Sequence, residues 1–276
     1  MSRIRARPTR IAIAGGSRGI GAALAQALAG PGVHLFLAAR ELPALERTAG
    51  ALRAAGATVG LHPADLCAPG AAADWLAAAS TPAPPELMII AMGLFGGRPA
   101  PGAPVPEALS RRLIEVNLTA TIALAEAAAE RMRPAGQGTI LLLSSLAARD
   151  PLPDARAYSA SKAGLSSYAH ALRADLAGTG VSVLLVEPGH VATRQAAQHR
   201  GALPMLLQPE QAARRILRAH DRGASHLAFP RRATLALGLL NLLPWRLRAA
   251  LLRDQRFCVD NPPLGPGEAP RRRCRD

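Results

Sequence analysis

The sequence predicts a three-layer α/β/α fold around a doubly wound parallel sheet of seven strands. Short segments rich in leucine and β-branched residues alternate with longer alanine-rich segments, as expected of strands joined by helical crossovers. Aromatic residues make up only 3% of the 276 residues, and small side chains suit helices packed on a sheet. Right-handed crossovers then place helices on both faces. The predicted strands are Arg10–Ala14, Val33–Ala39, Thr58–His62, Leu87–Met92, Thr139–Ser144, Val181–Glu187 and His226–Phe229.

The segments between these strands are rich in alanine and leucine, which are strong helix formers. Two loops, Ser80–Pro85 and Pro99–Pro106, are rich in proline, and neither has the length or composition of a linker between domains. We therefore predict one catalytic domain over residues 1–230. Its predicted helices are Ile20–Ala29, Leu42–Ala55, Ala71–Ala79, Glu107–Met132, Ala157–Leu176 and Pro209–Arg222.

Two further segments follow the predicted domain. Residues 231–259 form an apolar helical extension, and residues 260–276, rich in proline, glycine and arginine, are predicted to be a disordered basic tail. The charge-free run Ala233–Trp245 is shorter than the roughly 20 residues that a membrane span requires. Two alternatives stay open for the extension. It packs over the substrate pocket or in a dimer interface, or its flanking arginines and Trp245 attach it to a membrane surface.

Composition excludes several classes of protein. The 33 basic and 19 acidic residues give a net charge of +14, but no basic helix carries interleaved aromatic residues, so we expect no nucleic-acid partner. The cysteines Cys67, Cys258 and Cys274 are isolated, which fits a reducing cytoplasm and excludes a disulfide framework. The histidines are too dispersed to form a metal site. The N-terminal apolar run Ile11–Ala14 is too short for a signal peptide, so we expect a cytoplasmic protein, at most peripheral on a membrane.

A glycine-rich turn follows the first predicted strand and opens the first helix. Glycine lets the backbone turn tightly and approach a pyrophosphate, whose charge the helix N-terminus stabilises. The spacing G-x-x-x-G-x-G is weak evidence alone, because a plain glycine-rich turn has the same appearance. Its position between a strand and a helix favours a dinucleotide site. The residues expected to contact the cofactor here are Gly15, Ser17, Arg18, Gly19, Ile20 and Gly21.

The end of the second strand indicates which cofactor is bound. A site for NAD usually places a carboxylate there, to accept hydrogen bonds from the ribose 2′-hydroxyl. Here the strand ends at Ala39 and is followed by Arg40, and Arg18 lies in the glycine turn. Guanidinium groups pair with a 2′-phosphate, so we predict NADP(H) rather than NAD(H). The alternative is that both arginines are ordinary surface charges.

One tyrosine and the single lysine of the chain lie one helical turn apart. Tyr158 and Lys162 share a helix face, because residues i and i+4 are neighbours. An ammonium group lowers the pKa of a nearby tyrosine and makes it usable as an acid or base. The alternative is an amphipathic helix with a lysine that extends to solvent. Ser145, at the end of the fifth predicted strand, precedes the tyrosine by thirteen residues.

These motifs, in this order, resemble the short-chain dehydrogenase/reductase family over about Arg10 to Phe229. The resemblance implies a Rossmann-like fold, an NADP(H)-dependent reaction between a ketone and a secondary alcohol, and a homodimer or homotetramer. An alternative is a non-catalytic NADP-binding sensor or scaffold on the same fold. The motifs that carry the resemblance are Gly15-x-x-x-Gly19-x-Gly21, Ser145, Tyr158-x-x-x-Lys162 and Pro188-Gly189-His-Val191-Ala-Thr193.

The resemblance also implies individual roles. Tyr158 would exchange the proton with substrate, Ser145 would bind the substrate oxygen, and Lys162 would hold the nicotinamide ribose. Asn117 would position a water behind the lysine. Further cofactor contacts are implied for Asp65, Leu66, Ala91, Gly93, Pro188, Gly189, Val191 and Thr193.

The sequence departs from the family pattern at two places. Ala14 stands where a threonine precedes the first glycine, and Ile90-Ala-Met-Gly93 replaces Asn-Asn-Ala-Gly, which removes side-chain hydrogen bonds around the adenosine. We expect substrate contacts from Met92–Phe95, Leu146–Leu152 and the segment His190–Gln208. The last is predicted to be an apolar lid, which favours a hydrophobic substrate. Its histidines are interpreted as solvated or capping residues.

Overall fold

The computed structural model describes residues 7–251 and 256–262 of the chain. Its main sheet contains β1 (Arg10–Ala14), β2 (His34–Ala39), β3 (Thr58–Pro63), β4 (Leu87–Ile90), β5 (Gly138–Leu143), β6 (Val181–Pro188) and β8 (His226–Phe229). These strands are parallel and lie in the order β3-β2-β1-β4-β5-β6-β8. The chain moves outward from β1 in both directions, so the predicted doubly wound α/β fold is confirmed.

The helices are α1 (Gly19–Leu28), α2 (Leu42–Ala54), α3 (Ala71–Ala79), α4 (Glu107–Ile114), α5 (Ala120–Ala135), α6 (Arg156–Asp175), α7 (Pro209–Asp221), α8 (Arg231–Leu240) and α9 (Trp245–Leu251). The predicted helical segment Glu107–Met132 is helical in the structure, but a π-helical turn at Glu115–Thr119 separates α4 from α5. No helix in the described ranges is long and apolar enough to cross a bilayer.

Two hydrophobic cores lie on opposite faces of the sheet. Successive side chains of a strand point to opposite faces, so Ile11 and Ile13 pack with α1, α2 and α7, whereas Ala12 and Ala14 pack with α3, α5 and α6. Because the strands are parallel, all their carboxyl ends lie along one edge of the sheet. The loops that follow β1, β4, β5 and β6 therefore meet there, where β1 separates the two halves of the sheet.

The end of the described chain returns to this edge. Strand β9 (Cys258–Val259) pairs antiparallel with β7 (His199–Arg200) in the predicted lid. The amide of Asp260 donates to the Gln198 carbonyl at 2.8 Å, and the Asn261 side chain bonds to Gly97. The start of the disordered tail, predicted at residue 260, is therefore too early. Residues 263–276 of that predicted tail lie outside the described residues.

Candidate active site

Two glycines are required by the turn between β1 and α1. A Cβ on Gly21 would lie 2.2 Å from the carbonyl oxygen of Gly15, and a Cβ on Gly15 would lie 2.6 Å from the Met92 nitrogen. Gly15 also has φ of 84°, a backbone conformation that other residues rarely adopt. The backbone of this turn can therefore be approached closely, as a pyrophosphate requires.

The first turn of α1 presents its amides to the same space. Arg18 is the N-cap residue and makes no side-chain cap, and no acidic residue lies in the first turn, which contains Gly19, Ile20 and Gly21. The carbonyl of Ser17, just before them, accepts a hydrogen bond from Thr48 at 3.2 Å. An uncapped helix N-terminus beside a side-chain-free turn is a site for phosphate groups. The residues present therefore fit the pyrophosphate of a dinucleotide.

Three arginines surround one carboxylate beside the end of β2. Arg18 forms an ion pair with Glu41, and the charges of Arg194 and Arg40 also act on this carboxylate. The hydrogen bond from Arg18 holds the pKa of Glu41 below its ordinary value. Glu41 is therefore an acidic neighbour of the two predicted arginines that the sequence did not indicate. The cluster nevertheless keeps a net positive charge, because Arg194 adds a third guanidinium group that the sequence did not indicate.

The predicted adenosine contacts already have protein partners. The carboxylate of Asp65 pairs with Arg112 at 2.6 Å and accepts a hydrogen bond from the Cys67 amide at 3.1 Å. Burial raises the pKa of Asp65, but these two partners outweigh it, and the net pKa is lowered. Leu66 is buried beside it. The Ala91 amide, predicted to be available for the ribose, donates instead to Ala14 at 2.9 Å.

Gly93 is the point where four elements of the site meet. A Cβ there would lie 3.4 Å from Asn117 Oδ1, 3.7 Å from Lys162 Nζ and 3.8 Å from Gln195 Nε2. Gln195 donates to the Gly93 carbonyl at 2.5 Å, a contact that the sequence did not suggest. The absence of a side chain at Gly93 thus keeps the buried lysine and asparagine close to the loop after β4.

The π-helical turn positions Asn117. Its amide group donates to the Leu94 carbonyl at 2.8 Å and lies 3.1 Å from Ser161 Oγ, and its oxygen accepts from the Leu94 amide at 2.7 Å. Asn117 is completely buried. The Asn117 side chain therefore joins the loop after β4 to α6. It lies next to Lys162, as the family resemblance implies.

Ser145, Tyr158 and Lys162 are brought together at the carboxyl end of β5. Ser145 caps the short turn after β5 through its Oγ, which accepts from the Ala147 amide at 3.1 Å. Its side chain also lies near enough to Tyr158 to lower the pKa of the tyrosine. Lys162 is buried one turn further along α6 and donates to the Leu143 carbonyl at 2.9 Å. The predicted trio thus has the proximity that proton exchange requires.

Burial dominates the titration of both α6 residues. It raises the pKa of Tyr158, against which the hydrogen bond from Ser145 acts, and it lowers the pKa of Lys162 to about 8. The expectation that Lys162 lowers the tyrosine pKa is therefore not met in this structure. The lysine remains mostly protonated at neutral pH, since its pKa lies above 7.

A chain of buried polar groups lies behind the lysine. Ser144 Oγ is 2.9 Å from the Lys162 carbonyl and 2.9 Å from Ser166 Oγ, which in turn donates to Glu187. Burial raises the pKa of Glu187, but hydrogen bonds from His226, Arg149 and Ser166 lower it by more. The net pKa of Glu187 is therefore below its ordinary value. This network, absent from the sequence analysis, ties the helix that carries Lys162 to β6.

The segment after β6 contacts β8, the predicted lid and the glycine turn. The Gly189 amide, next to Pro188, donates to Phe229 at 2.7 Å. Val191 forms a bridge with Leu207 across the predicted lid. Thr193 lies beside the glycine turn, because a Cβ on Gly19 would be 3.1 Å from its methyl group. The structure thus brings Thr193 and the residues of the turn together.

The C-terminal strap, residues 256–262, covers the site next to Tyr158. Besides the β7–β9 pairing, the Val259 amide donates to Arg98 at 2.8 Å. The Asn261 side chain makes two hydrogen bonds of 2.9 Å with the backbone of Gly97. The strap therefore connects the predicted lid with the loop after β4.

A buried carboxylate anchors the strap to the start of α6. Asp154 is 1% exposed and accepts hydrogen bonds of 2.8 Å from Arg98 and from Arg256, and one of 3.2 Å from the Phe257 amide. The hydrogen bond from Arg256 is the main cause that lowers the pKa of Asp154 to about 2. Asp154 is thus the point where the strap, the loop after β4 and the start of α6 are joined.

Aromatic rings cover the space next to Tyr158. The Phe95 ring packs edge-on against Tyr158 at 5.0 Å, and the His199 ring stacks on Phe257 at 4.2 Å and lies 6.3 Å from Phe95. His190 contacts His199 at 5.9 Å. Burial lowers the pKa of both histidines, so they are neutral at pH 7. The histidines, interpreted from sequence as solvated or capping residues, are instead partly buried ring contacts.

A glycine turn at the point where the sheet reverses, with a serine, a tyrosine and a lysine assembled beside it, defines a dinucleotide-dependent oxidoreductase. The comparisons agree. A family model described as short chain dehydrogenase matches residues 9–203. An uncharacterized oxidoreductase of Myxococcus xanthus (strain DK1622) is 32% identical over 244 residues, 88% of this chain and 96% of that protein. The chain belongs to the short-chain dehydrogenase family and is an NAD(P)-dependent oxidoreductase acting on CH–OH or carbonyl groups.

Other relatives and solved structures extend this similarity. An uncharacterized oxidoreductase of Mycobacterium tuberculosis (strain ATCC 25618 / H37Rv) is 33% identical and covers 86% of this chain and 95% of its own. A short-chain dehydrogenase from Sphingobium yanoikuyae in complex with NADPH is 26% identical, with a TM-score of 0.73, covering 89% of this chain and 96% of its own. An actinorhodin polyketide ketoreductase with NADPH shares the fold at 24% identity, with a TM-score of 0.72, covering 80% of this chain and 95% of its own.

Proposed function

We propose that the protein catalyses NADPH-dependent reduction of a hydrophobic ketone to a secondary alcohol, with Tyr158 as the acid. The observation that carries this proposal is the proximity of Ser145 and Tyr158 at the carboxyl end of β5, with buried Lys162 one helical turn away. NADPH, when bound, supplies the hydride. The reverse oxidation uses the same groups, with the tyrosine as base.

Tyr158 and Ser145 act on the same substrate atom. The Ser145 hydroxyl donates a hydrogen bond to the carbonyl oxygen and stabilises the negative charge that develops there. The Tyr158 hydroxyl gives its proton to that oxygen. The ammonium group of Lys162, mostly protonated at neutral pH, would hold the hydroxyl groups of the nicotinamide ribose. The buried network of Ser144, Ser166 and Glu187 holds the helix in place during these steps.

The cofactor preference rests on the arginine cluster. Arg18, Arg40 and Arg194 lie around the end of β2, and the carboxylate of Glu41 opposes their charge. A 2′-phosphate pairs with guanidinium groups and competes with Glu41 for Arg18. The neighbouring dehydrogenase from Sphingobium yanoikuyae is itself a complex with NADPH. The proposed pyrophosphate contacts are the backbone groups of the glycine turn.

The hydrophobic character of the substrate follows from what surrounds Tyr158. Phe95, Leu152, Phe257 and Val259 form one apolar cluster with the tyrosine. In the direction of the predicted lid the wall continues as His199, whose imidazole is neutral at pH 7. A wall of this composition favours an apolar substrate over a charged one, because a charge there would lose its hydration without a paired partner.

A screen of ketones that follows NADPH oxidation by its absorbance tests the proposal. With a confirmed substrate, Tyr158→Phe should lower turnover by at least about 100-fold and leave NADPH affinity unchanged. The other tyrosine, Tyr168, lies on the same helix and bonds to Glu126. It provides the matched control, since Tyr168→Phe should retain turnover. Full activity of Tyr158→Phe contradicts the mechanism, and NADPH binding without reduction of any ketone favours the sensor or scaffold.

A further inference from the structure

Helices α8 and α9 and the turn between them expose several leucines that are close in sequence, and no residue of α8 is buried. Leu235 and Leu239 are 70% and 69% exposed, and one turn of helix separates them on a shared face. Leu242 is 81% exposed in the turn that follows α8, and Leu247 is 56% exposed on α9. We call these four residues, with half-exposed Leu243, the leucine surface. Clustered exposed leucines mark an interaction site, since scattered ones are normal but contiguous ones are not.

Polar contacts hold the leucine surface outward. The Asn241 side chain donates to the Arg149 carbonyl at 3.3 Å, and Arg248 forms an ion pair with Asp150. Both partners lie in the loop between β5 and α6. The loop continues to Leu152, which belongs to the apolar cluster around Tyr158. The two helices are therefore attached to the body by their polar side, next to a loop of the substrate pocket.

The charged residues of the segment that carries the leucine surface are all arginines. Arg231 and Arg232 are exposed at the start of α8, and Arg246 is exposed on α9. The sequence contains no acidic residue between Arg222 and Arg253. The partner of this surface must therefore be apolar and carry negative charge, because nothing within the segment compensates the arginines.

A cavity of about 540 Å³ opens at the root of α8. Cationic and polar side chains line it together with Leu235, the first residue of the leucine surface. Arg149 in its wall is oriented by Glu187, which it contacts through Nε at 2.5 Å. The cavity therefore combines guanidinium groups, suited to a phosphate, with an apolar exit along α8. Its lining residues are Arg149, His226, Ala228, Arg231, Thr234 and Leu235.

We propose that α8 and α9 dock the protein peripherally on an anionic phospholipid bilayer. The leucine surface enters the boundary between headgroups and acyl chains, the arginines contact the headgroup layer, and one lipid phosphate occupies the cavity at the root of α8. A second copy of the chain fits this surface poorly. Two-fold symmetry would place its arginine-rich ends against each other without an acidic residue of the segment to pair with. The expected homodimer or homotetramer would then use other faces.

Vesicle flotation of the full-length protein tests this proposal without reference to catalysis. At low ionic strength the protein should float with vesicles of phosphatidylcholine and phosphatidylglycerol in equal parts, and not with phosphatidylcholine alone. The triple substitution Leu235→Ser, Leu239→Ser and Leu242→Ser should lower the bound fraction by at least about tenfold. Leu42→Ser, at an exposed leucine of α2, is the matched control and should bind as the wild type does.

Charge substitutions test the contact of the arginines with the headgroup layer separately from the insertion of the leucine surface. Arg231→Glu should weaken binding to the mixed vesicles several-fold, whereas Arg218→Glu, at an exposed arginine of α7, should not. About 1 M salt, at which the Debye length is about 3 Å, should reduce binding further.

Several results would overturn the proposal. They are the absence of flotation with the mixed vesicles, equal binding of the triple variant and wild type, or a triple variant that sedimentation shows to be a monomer where the wild type is a dimer. Saturable binding of inorganic phosphate without vesicle binding would also reject the membrane and leave only an anion site.

Discussion

Lys162 is the one lysine in a chain that otherwise uses arginine for its basic side chains. The structure supplies a physical reason. Lys162 is 5% exposed, and its amine donates to the Leu143 carbonyl and lies close to Gly93, in a space suited to a compact amine. The planar guanidinium of arginine needs more room and more acceptors. Burial also lowers the pKa of Lys162 to about 8, whereas an arginine would stay charged.

The pKa of Lys162 predicts how cofactor binding depends on pH. A lysine with a pKa of about 8 is an ammonium below that pH and a neutral amine above it. Charged hydrogen-bond donors are stronger, so NADPH binding should weaken about fivefold or more between about pH 7 and pH 9.5. A fluorescence titration of NADPH across this range measures the effect. Lys162→Met should bind more weakly at pH 7 and show no such slope, and a slope equal to wild type contradicts the assignment.

Arg40 predicts the choice between the two cofactors. Arg40→Asp removes one guanidinium from the cluster and adds a carboxylate, so NADPH binding should lose about 2 kcal/mol or more. NADH lacks the 2′-phosphate and should lose much less. The matched control is Arg47→Asp, at an exposed arginine further along α2. Calorimetric titration decides, and an unchanged NADPH affinity, or a wild type that prefers NADH, would reject the prediction.

At the scale of elements, the strap and α6 depend on Asp154. Its pKa of about 2, against an ordinary 3.8, means that folding stabilises the ionised carboxylate by about 2 kcal/mol. The hydrogen bond from Arg256 is the main cause. Because the folded pKa is lowered, this stabilisation is complete above about pH 4 and is lost as the pH falls toward 2. Acid should therefore loosen the strap.

Asp154→Asn tests this contribution. The variant should lose about 2 kcal/mol of unfolding free energy at pH 7, and the difference from wild type should shrink as the pH falls from about 4 toward 2. Urea unfolding at several pH values measures it. Glu46→Gln, which breaks an exposed ion pair with Arg53, is the control and should cost less than about 0.5 kcal/mol. A difference that stays constant down to pH 2 would contradict the electrostatic origin.

The π turn shows where element prediction by composition fails. Residues 107–132 contain no glycine or proline, so nothing local interrupts the predicted helix. The irregular turn is instead accompanied by tertiary contacts, since Asn117 satisfies both backbone groups of Leu94. π turns are frequent at functional sites. Here the turn places an amide beside Lys162, and the family resemblance, rather than any helical pattern, pointed to this residue.

At the scale of the whole molecule, we expect the strap to contribute to substrate binding and not to cofactor binding. The glycine turn, the arginine cluster and α6 lie within the 9–203 family match, whereas Phe257 and Val259 lie outside it. Deletion of residues 256–276 should therefore leave NADPH affinity within about threefold of wild type and raise KM for a hydrophobic ketone at least about tenfold. Titration and steady-state kinetics measure both. Loss of NADPH binding at retained circular dichroism would contradict this division.

Much of the architecture could be predicted from local sequence patterns. The seven strands of the main sheet were each predicted within a few residues, because strands covered on both faces are continuous apolar runs between glycine, proline and polar residues. The pairing of Tyr158 with Lys162, on which the proposed mechanism depends, could be predicted because spacing alone places them on one helix face. The strands β7 and β9 were missed, since two-residue strands leave no pattern and exist only through their pairing.

The sequence by itself determined the doubly wound fold, the glycine turn and the pairing of Tyr158 with Lys162, because each depends on residues close together in the chain. The tertiary structure decided what distant residues do to each other. It brought Glu41 to Arg18, Asp154 to Arg256, and the strap to the substrate side. It also set the pKa of Tyr158 above its ordinary value, because burial is a property of the folded molecule and not of sequence spacing.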